Sequence, residues 1–315
     1  MSESSNIPPI SDADKQALKN SVFAARAAHE GAVASSTEAP RPDAPISRVQ
    51  YAKSEFGFEI PVDIIPLPSK GSVYPVGHPF HNQDSVEYRG MTVREEDILT
   101  SAALIKKGTV INELIKACLI KKDVDVSSLL SGDRNAIMIA IRASGYGRIY
   151  SPSFSCPKCE TTANLNIDLA ELGIKNLDID PCIHGENMFN FTLPQSKFEV
   201  TFKFLTGADE EEIVSQMTAR KKKGMQLSNL ISTRLKSSLV AINGNRDRTA
   251  IAKFSEIMPA GDSSALRNFI DDHEPGVDMT IEFTCDSCEH YEEVGIPMDA
   301  SFFWPNAKRQ RGSNS

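Results

Sequence analysis

Residues 129–147 read LLSGDRNAIMIAIRASGYG. The central segment AIMIAIRA is apolar on nearly every side of a helix, so that helix has no face suited to water. Asp133 is expected to cap its start, and Gly145 and Gly147 can end it because glycine tolerates the left-handed conformation common at helix ends. We predict that this is the most buried helix of the protein.

The segments before this helix also carry strong local patterns. Residues 85–91 (SVEYRGM) alternate as a short strand does. Thr92 and Glu95 form a capping box, in which a hydroxyl and a carboxylate each satisfy a free backbone donor at a helix start. Within 109–121 the apolar residues lie on one face of a 3.6-residue period, so this helix must face a core. They are Val110, Ile111, Leu114, Ile115, Cys118 and Leu119.

Five prolines fall between residues 56 and 80. Because proline fixes φ and lacks a backbone N–H, we expect an extended segment that lies against the domain, not a central strand. An extended segment, a strand and a helical core would thus occupy 56–149. Residues 1–55 are expected to form a flexible arm with one candidate helix, and docking of that arm on a partner stays open. Residues 305–315 (PNAKRQRGSNS) predict a disordered basic tail.

Four cysteines form two C-x-x-C pairs, Cys156 with Cys159 and Cys285 with Cys288. Each pair presents two thiolates from a tight turn between strand-like flanks, and four thiolates suit the tetrahedral coordination of zinc. We predict one structural zinc ion per chain, held by all four residues. The pairs lie about 125 residues apart, whereas an ordinary ribbon has a spacing of ~15–20.

This separation predicts a discontinuous ribbon. Its halves would occupy 150–170 and 277–304, and residues 171–276 would be an inserted strand–helix region. Within the insertion, FNFTL and KFEVTFKFLT alternate as strands do. Helices are expected after Thr206 and over 226–243, 248–258 and 262–273.

Other interpretations of the cysteines are a ribbon without metal and a redox dithiol. A redox pair is expected at a helix start in a βαβ context, which neither pair has. Cys182, interpreted as a small, partly buried residue, is not included among the ligands. The same holds for His184 and His290, interpreted as polar loop residues, and for Cys118, which is assigned to core packing.

Two stretches share the order strand, threonine cap, acidic first turn and apolar helix. They are SVEYRGMTVREEDIL, from residue 85, and KFEVTFKFLTGADEEEIV, from residue 197. This order predicts two similar strand–helix units. Convergent capping chemistry explains the similarity better than duplication does.

The composition restricts the class of protein. Of 315 residues, 40% are hydrophobic and 24% charged, as in ordinary soluble proteins. No run approaches the ~18–20 apolar residues of a membrane span, and the N-terminus lacks the features of a secretory signal. We therefore expect synthesis in a reducing cytosol. A net charge of −8 argues against nucleic acid and anionic membranes as partners.

The sequence contains no phosphate-binding glycine loop, no G-x-S-x-G elbow and no H-E-x-x-H, so we do not predict an enzyme. Near the cysteine pairs, acidic residues outnumber the single Lys158, which disfavours phosphate binding. The predicted fold class is α+β: a helical core with short antiparallel strands and a discontinuous four-cysteine zinc ribbon.

Four stretches carry a resemblance to a known family. They are LPSKGSVYP at 67–75, VEYRGMTVREEDILTSAALIKKGTVINELIKACL at 86–119, the opening stretch at 129–147, and CPKC at 156–159. They resemble T4-type bacteriophage baseplate hub proteins, small tail proteins of contractile-tailed phages. The similarity is good over about 65–170 and looser over the cysteine ribbon.

Membership would imply a structural or assembly role in the baseplate hub, with no enzymatic residues to carry over. The implied partners are other hub and tail proteins: central spike, tube or tape-measure proteins. The implied locations are the host cytoplasm during assembly and the tail baseplate of the virion. The alternative hypothesis is a zinc-ribbon regulatory protein that acts on host transcription or translation machinery.

Overall fold

The computed structural model describes residues 50–53, 59–222, 229–297 and 300–303. Of the predicted N-terminal arm at 1–55 only residues 50–53 are described, where they form a strand, and the predicted tail at 305–315 lies outside the described residues. Helices α1–α9 span Val93–Thr100, Ala102–Lys107, Val110–Cys118, Ser131–Tyr146, Gly207–Lys222, Leu230–Ser238, Arg248–Ile257, Ala260–His273 and Ala300–Phe303. Strands β1–β14 span Gln50–Lys53, Glu59–Pro66, Ser85–Arg89, Ile149–Tyr150, Ser153–Ser155, Thr162–Asn164, Ile167–Asp168, Ile174–Lys175, Phe189–Thr192, Glu199–Phe202, Leu239–Ile242, Gly276–Val277, Thr280–Thr284 and Tyr291–Gly295. The expected α+β class is confirmed.

Helix α4 lies in the main hydrophobic core. Every residue from 136 to 142 is buried, as the all-apolar segment predicted. The helix ends at Tyr146, and Gly147 follows with a φ of 83°. Helix α3 packs beside it through Leu114 and Ile115, both fully buried, which confirms the predicted apolar face.

The prediction that Asp133 caps α4 is wrong. Leu130 occupies the cap position, and Asp133 lies in the first turn with no exposed surface. Its carboxylate accepts hydrogen bonds from the backbone N–H and the hydroxyl of Ser69, at 3.0 and 2.5 Å, and from the Tyr74 hydroxyl, at 2.5 Å. The side chain therefore points away from its own helix terminus and towards a distant loop that supplies buried donors.

Strands β1, β2 and β3 form an antiparallel sheet with β2 in the centre. This contradicts the expectation that the proline-rich segment holds no central strand. The prolines fit because of where they fall. The Pro61 carbonyl accepts a hydrogen bond from the N–H of Gly90, which follows the last residue of β3. Pro61 therefore lies beside the end of β3, where the N–H that proline lacks is not needed for the ladder. Pro66 is the last residue of β2, where a ladder donor is no longer needed.

The chain between β2 and β3 forms a closed loop. Leu67 N–H donates to the carbonyl of Asp84 at 2.8 Å, which brings the two ends of the loop together. Buried Leu67, Val73, Tyr74 and Phe80 pack the loop against the core. This arrangement explains why a segment rich in proline is held firmly against the domain.

A second antiparallel sheet has the order β11–β10–β9. It includes one strand that was not predicted, because 226–243 was expected to be helical throughout. Helix α6 instead ends at Ser238 and residues 239–242 (LVAI) pair with β10, for example Ile242 with Val200. Three of these four residues are buried, and the apolar run has no period that separates strand from helix.

The two predicted strand–helix units are confirmed, down to their polar contacts. Glu95 accepts hydrogen bonds from the backbone N–H and hydroxyl of Thr92 at 2.8 and 2.6 Å, and Asp209 does the same with Thr206 at 3.0 and 2.8 Å. Each carboxylate also forms an ion pair, at 2.7 Å in both units, with the basic residue six positions before it. In both units, the same pair of contacts, a threonine cap and an ion pair, connects the end of the strand to the start of the helix.

The C-terminal segment returns to α4. Arg142, which is fully buried, donates from Nε to the Phe302 carbonyl at 2.5 Å, and Phe302 and Phe303 are buried in the main core. Tyr150 OH donates to the Pro297 carbonyl at 2.9 Å. Among the described residues, no helix combines the length and the apolar character needed to cross a bilayer.

Candidate metal centre

Two short hairpins carry the cysteine pairs. Strands β5 and β6 flank Cys156 and Cys159, and strands β13 and β14 flank Cys285 and Cys288, so the predicted strand–turn–strand setting is confirmed. In both turns, the N–H of the first cysteine donates to the carbonyl five residues later, at 3.0 and 2.9 Å. In both, the N–H that follows the second cysteine donates back to the carbonyl of the first, at 2.9 Å. The two turns therefore have the same backbone construction.

A glutamate follows the second cysteine in each turn. Glu160 has a φ of 60° and Glu289 a φ of 55°, so both adopt the left-handed conformation. This conformation is unusual for residues other than glycine, asparagine and aspartate. It reverses the chain directly after the second thiol and directs it into the return strand.

The four sulfur atoms meet at one point between the hairpins. All four Sγ atoms lie within 4.8 Å of one another. Cys156 Sγ is 3.7 Å from Cys288 Sγ, and Cys159 Sγ is 3.5 Å from Cys285 Sγ, so each short distance joins the two hairpins. A tetrahedral zinc site with Zn–S bonds of ~2.3 Å places its sulfurs roughly 3.8 Å apart. The residues present thus fit a tetrahedral metal ion.

A small hydrophobic cluster supports the cysteines. Phe154 and Phe283 pack edge to face with ring centroids 4.6 Å apart, and Val294 is buried beside them. The first cysteine of each pair, Cys156 and Cys285, is buried in this cluster. The second cysteine of each pair is more exposed than the first.

The thiols differ in acidity. Hydrogen bonding to Thr161 lowers the pKa of Cys159 to about 6. The backbone of His290 acts to lower the pKa of Cys288, but loss of solvation and the neighbouring thiols raise it to about 12. Bringing four thiols together thus favours sharing of protons among them, and a bound cation would take the place of those protons.

The surroundings of the cluster are acidic. Glu160, Asp286 and Glu289 are exposed around the two turns. Glu282 lies directly opposite Glu293 across the β13–β14 pair, where like charges repel each other. This surface does not suit phosphate groups.

None of the residues set aside as ligands joins the cluster. Cys118 is fully buried on α3, as expected, and loss of solvation raises its pKa to about 12. His184 contacts Asn82, and His290 lies 3.6 Å from Glu292. Cys182 was expected to be partly buried and is exposed, and its backbone N–H donates to the carbonyl of Met188.

Sequence reasoning missed a second polar centre, formed by Asp133, Ser69 and Tyr74. Tyr74 OH donates to Asp133 and also accepts from Leu130 N–H at 3.1 Å. Burial raises the pKa of Asp133, while the three hydrogen bonds that it accepts oppose that change. The sequence did contain an indication of this centre, because Ser69, Tyr74 and Asp133 all lie in stretches that resemble the baseplate family.

The fold and the cysteine cluster define an α+β protein in which two hairpins, far apart in sequence, bring four thiols to one point. A family model described as T4 bacteriophage base plate protein matches residues 65–304, which are 240 of the 315 residues. The chain belongs to this family, and the expected resemblance is confirmed. Comparisons with curated proteins and with solved structures give no match.

Proposed function

We propose that this chain is a structural or assembly subunit of the baseplate hub of a contractile-tailed bacteriophage. The observation that carries the proposal is the family match over 65–304, which includes the helical core and both cysteine pairs. The partners would be other hub and tail proteins, namely central spike, tube or tape-measure proteins. The chain would act in the host cytoplasm during assembly and then in the virion tail.

The role proposed here is not enzymatic. A baseplate family is one of structural proteins, and the four thiols, if they bind one metal ion, leave no open coordination position for a substrate. The family match gives no support to the alternative of a regulator of host transcription or translation machinery. The acidic surroundings of the cysteines also count against nucleic-acid binding.

We propose further that Cys156, Cys159, Cys285 and Cys288 hold one structural zinc ion in a discontinuous ribbon. The distances between the sulfur atoms support this. So does the pairing of β8 with β12, which aligns Ile174 with Val277 and brings the two ends of the inserted region together. Zinc would then hold the hairpins at 150–170 and 277–304 against each other.

Metal analysis tests the zinc proposal. Reduced, purified protein should contain about one zinc per chain, and the double variant Cys156→Ser with Cys285→Ser should contain none. Cys182→Ser is the matched control, because it removes an exposed thiol outside the cluster. Native protein that is folded but contains no metal would contradict the proposal.

Mass spectrometry of purified tails and of baseplate intermediates tests the hub role. The chain should be found in the particles or in the intermediates, and cross-links should connect it to spike or tube proteins. Absence from both fractions would refute a baseplate role. Cross-links confined to the baseplate periphery would leave the family assignment intact and refute the hub position.

A further inference from the structure

A cleft of about 660 Å³ opens beside the start of α4. It lies where the inserted region leaves and rejoins the rest of the chain, next to the β8–β12 pair. Side chains of mixed character line it, among them Ser131, Ile174, Arg234, Glu274, Val277 and Met279. The cleft is distinct from the cysteine cluster and shares none of its residues.

Glu274 is the unusual residue of this cleft. It follows the last residue of α8, is partly buried, and its carboxylate forms no hydrogen bond and no ion pair among the described residues. Loss of solvation raises its pKa to about 7. A carboxylate in this state lacks a partner that would compensate its charge.

The nearby cations are already engaged. Arg234 forms an ion pair with Glu210 at 2.8 Å, and Lys175 donates to the main-chain carbonyl of Asp271. The charges that act on Glu274 are those of Arg234, Lys175, Glu210 and Asp271, two of each sign. Both cations favour the ionised form of Glu274, but each has another partner and neither forms an ion pair with Glu274 within the described residues.

An apolar surface also favours an incoming side chain. Ile174, 42% exposed, lies with Val277 and Met279 along the same walls. These residues provide an apolar surface for the aliphatic part of a long side chain.

We propose that this cleft receives a lysine or arginine side chain of a neighbouring baseplate protein, with its charged end paired to Glu274. The identity of the partner rests on the proposed function. A calcium ion fits less well, since it requires six to eight oxygen ligands, and among the carboxylates that line the cleft Glu210 is paired with Arg234 and Asp278 accepts hydrogen bonds from Thr280. The aliphatic stem of the incoming residue would cover Ile174 and Met279.

Binding of a model peptide to the full chain tests this proposal. The probe is acetyl-Ala-Lys-Ala-amide, its neutral control is acetyl-Ala-Gln-Ala-amide, and the readout is an NMR chemical-shift titration at constant ionic strength. Glu274→Gln should weaken lysine-peptide binding roughly tenfold at pH 8, because a charge-assisted contact is lost. Glu256→Gln is the matched control: it makes the same charge change at an exposed site on α7 and should leave binding within about twofold.

The pH dependence gives a second readout. Only the ionised carboxylate pairs with the ligand, so wild-type affinity should rise roughly tenfold from pH 6 to pH 8, and Glu274→Gln should lose this dependence. Equal affinity of wild type and Glu274→Gln would overturn the proposal, as would equal weakening by Glu256→Gln. Competition by calcium chloride that depends on Glu274 would overturn it in favour of a metal site.

This experiment separates the cleft from the hub role. Lysine-peptide binding through Glu274 by a protein that is absent from phage tails would support the cleft and refute the baseplate role. Presence in tails together with no Glu274-dependent binding would do the reverse. If Glu274→Gln proved poorly folded, Ile174→Ser would test the apolar wall and should weaken binding of the lysine peptide.

Discussion

The hydroxyl of Tyr74 offers the sharpest test of how the loop at 67–84 is attached to α4. Tyr74→Phe keeps the ring and removes two buried hydrogen bonds, one donated to Asp133 at 2.5 Å and one accepted from Leu130 N–H at 3.1 Å. Loss of a hydrogen bond to a charged group costs ~1.5–3 kcal/mol, and leaving a buried N–H without a partner costs ~1–3 kcal/mol. With Asp133 ionised, we therefore expect the free energy of unfolding to fall by about 3–5 kcal/mol.

Urea denaturation at several pH values is the appropriate assay. Burial already raises the pKa of Asp133, so its ionisation destabilises the native state as pH rises through that raised value. Tyr74→Phe removes a donor that stabilises the ionised form, so the pKa of Asp133 should rise further. The loss of stability should consequently be larger at a pH where Asp133 is ionised in the native protein than at a lower pH where it is protonated.

Tyr291→Phe is the control, since Tyr291 is 54% exposed on β14, and it should change stability by less than about 0.5 kcal/mol. Ser69→Ala removes the second donor to the same carboxylate oxygen, so its effect and that of Tyr74→Phe should not add. A loss below about 1 kcal/mol for Tyr74→Phe, or strict additivity with Ser69→Ala, would refute this account of the network.

Three further substitutions have defined outcomes. Glu274→Gln should stabilise the protein by about 3 kcal/mol at pH 8 and by less than about 1 kcal/mol at pH 5, as measured by urea titration. The reason is that the raised pKa of Glu274 lowers the stability of the native protein as pH rises from about 4.5 through 7. A stabilisation that does not vary with pH would contradict this. Gly132→Ala should lower the melting temperature strongly, since the added Cβ would lie 1.8 Å from the Pro275 carbonyl oxygen. In the same thermal scan Gly295→Ala should be tolerated, because its Cβ would meet no atom within 4 Å. Arg142→Met should make the C-terminal segment more sensitive to limited proteolysis, because the carbonyls of Phe302 and Gly147 lose their donor. Arg142→Lys should not restore protection, since a lysine lacks the planar guanidinium that makes both contacts. Unchanged cleavage would rule out this anchoring role.

Local patterns predicted the elements whose structure depends on neighbours in sequence. The period of 109–121 gave α3, the all-apolar segment gave α4, and the C-x-x-C turns gave two equivalent hairpins. Each of these depends on residues within about ten positions of one another. The proximity of the four thiols was also predictable, because the hypothesis of one shared metal ion requires all four residues to meet at one point.

The missed features depend on contacts that the local pattern does not encode. Asp133 has the position of a helix cap, but its partners Ser69 and Tyr74 come from 64 and 59 residues earlier. The prolines of β2 argue against a central strand in the sequence, and only the structure shows that Pro61 lies beside the end of β3, where its missing N–H does no harm. Residues 239–242 form a strand because β10 offers a free edge, which the apolar run LVAI does not reveal. In each case tertiary contacts decided between two local conformations that the sequence allows.

The polar residues of α4 show how its buried position selects distant partners. Asp133 lies in the first turn and Arg142 near the last, and neither forms an ion pair within the described residues. A negative charge near the N-terminus and a positive charge near the C-terminus are both favoured by the helix dipole, which offsets part of the cost of burying them. The remaining cost is met by hydrogen bonds: Asp133 takes donors from the loop at 67–84, and Arg142 gives its own to the Phe302 carbonyl, 160 residues away. Arg142 also donates to the carbonyl of Gly147, so the charged residues of α4 contact the loop at 67–84, the chain just after the helix, and the segment that contains Phe302. They thereby hold the start of that loop and the segment that follows the second cysteine hairpin on one helix.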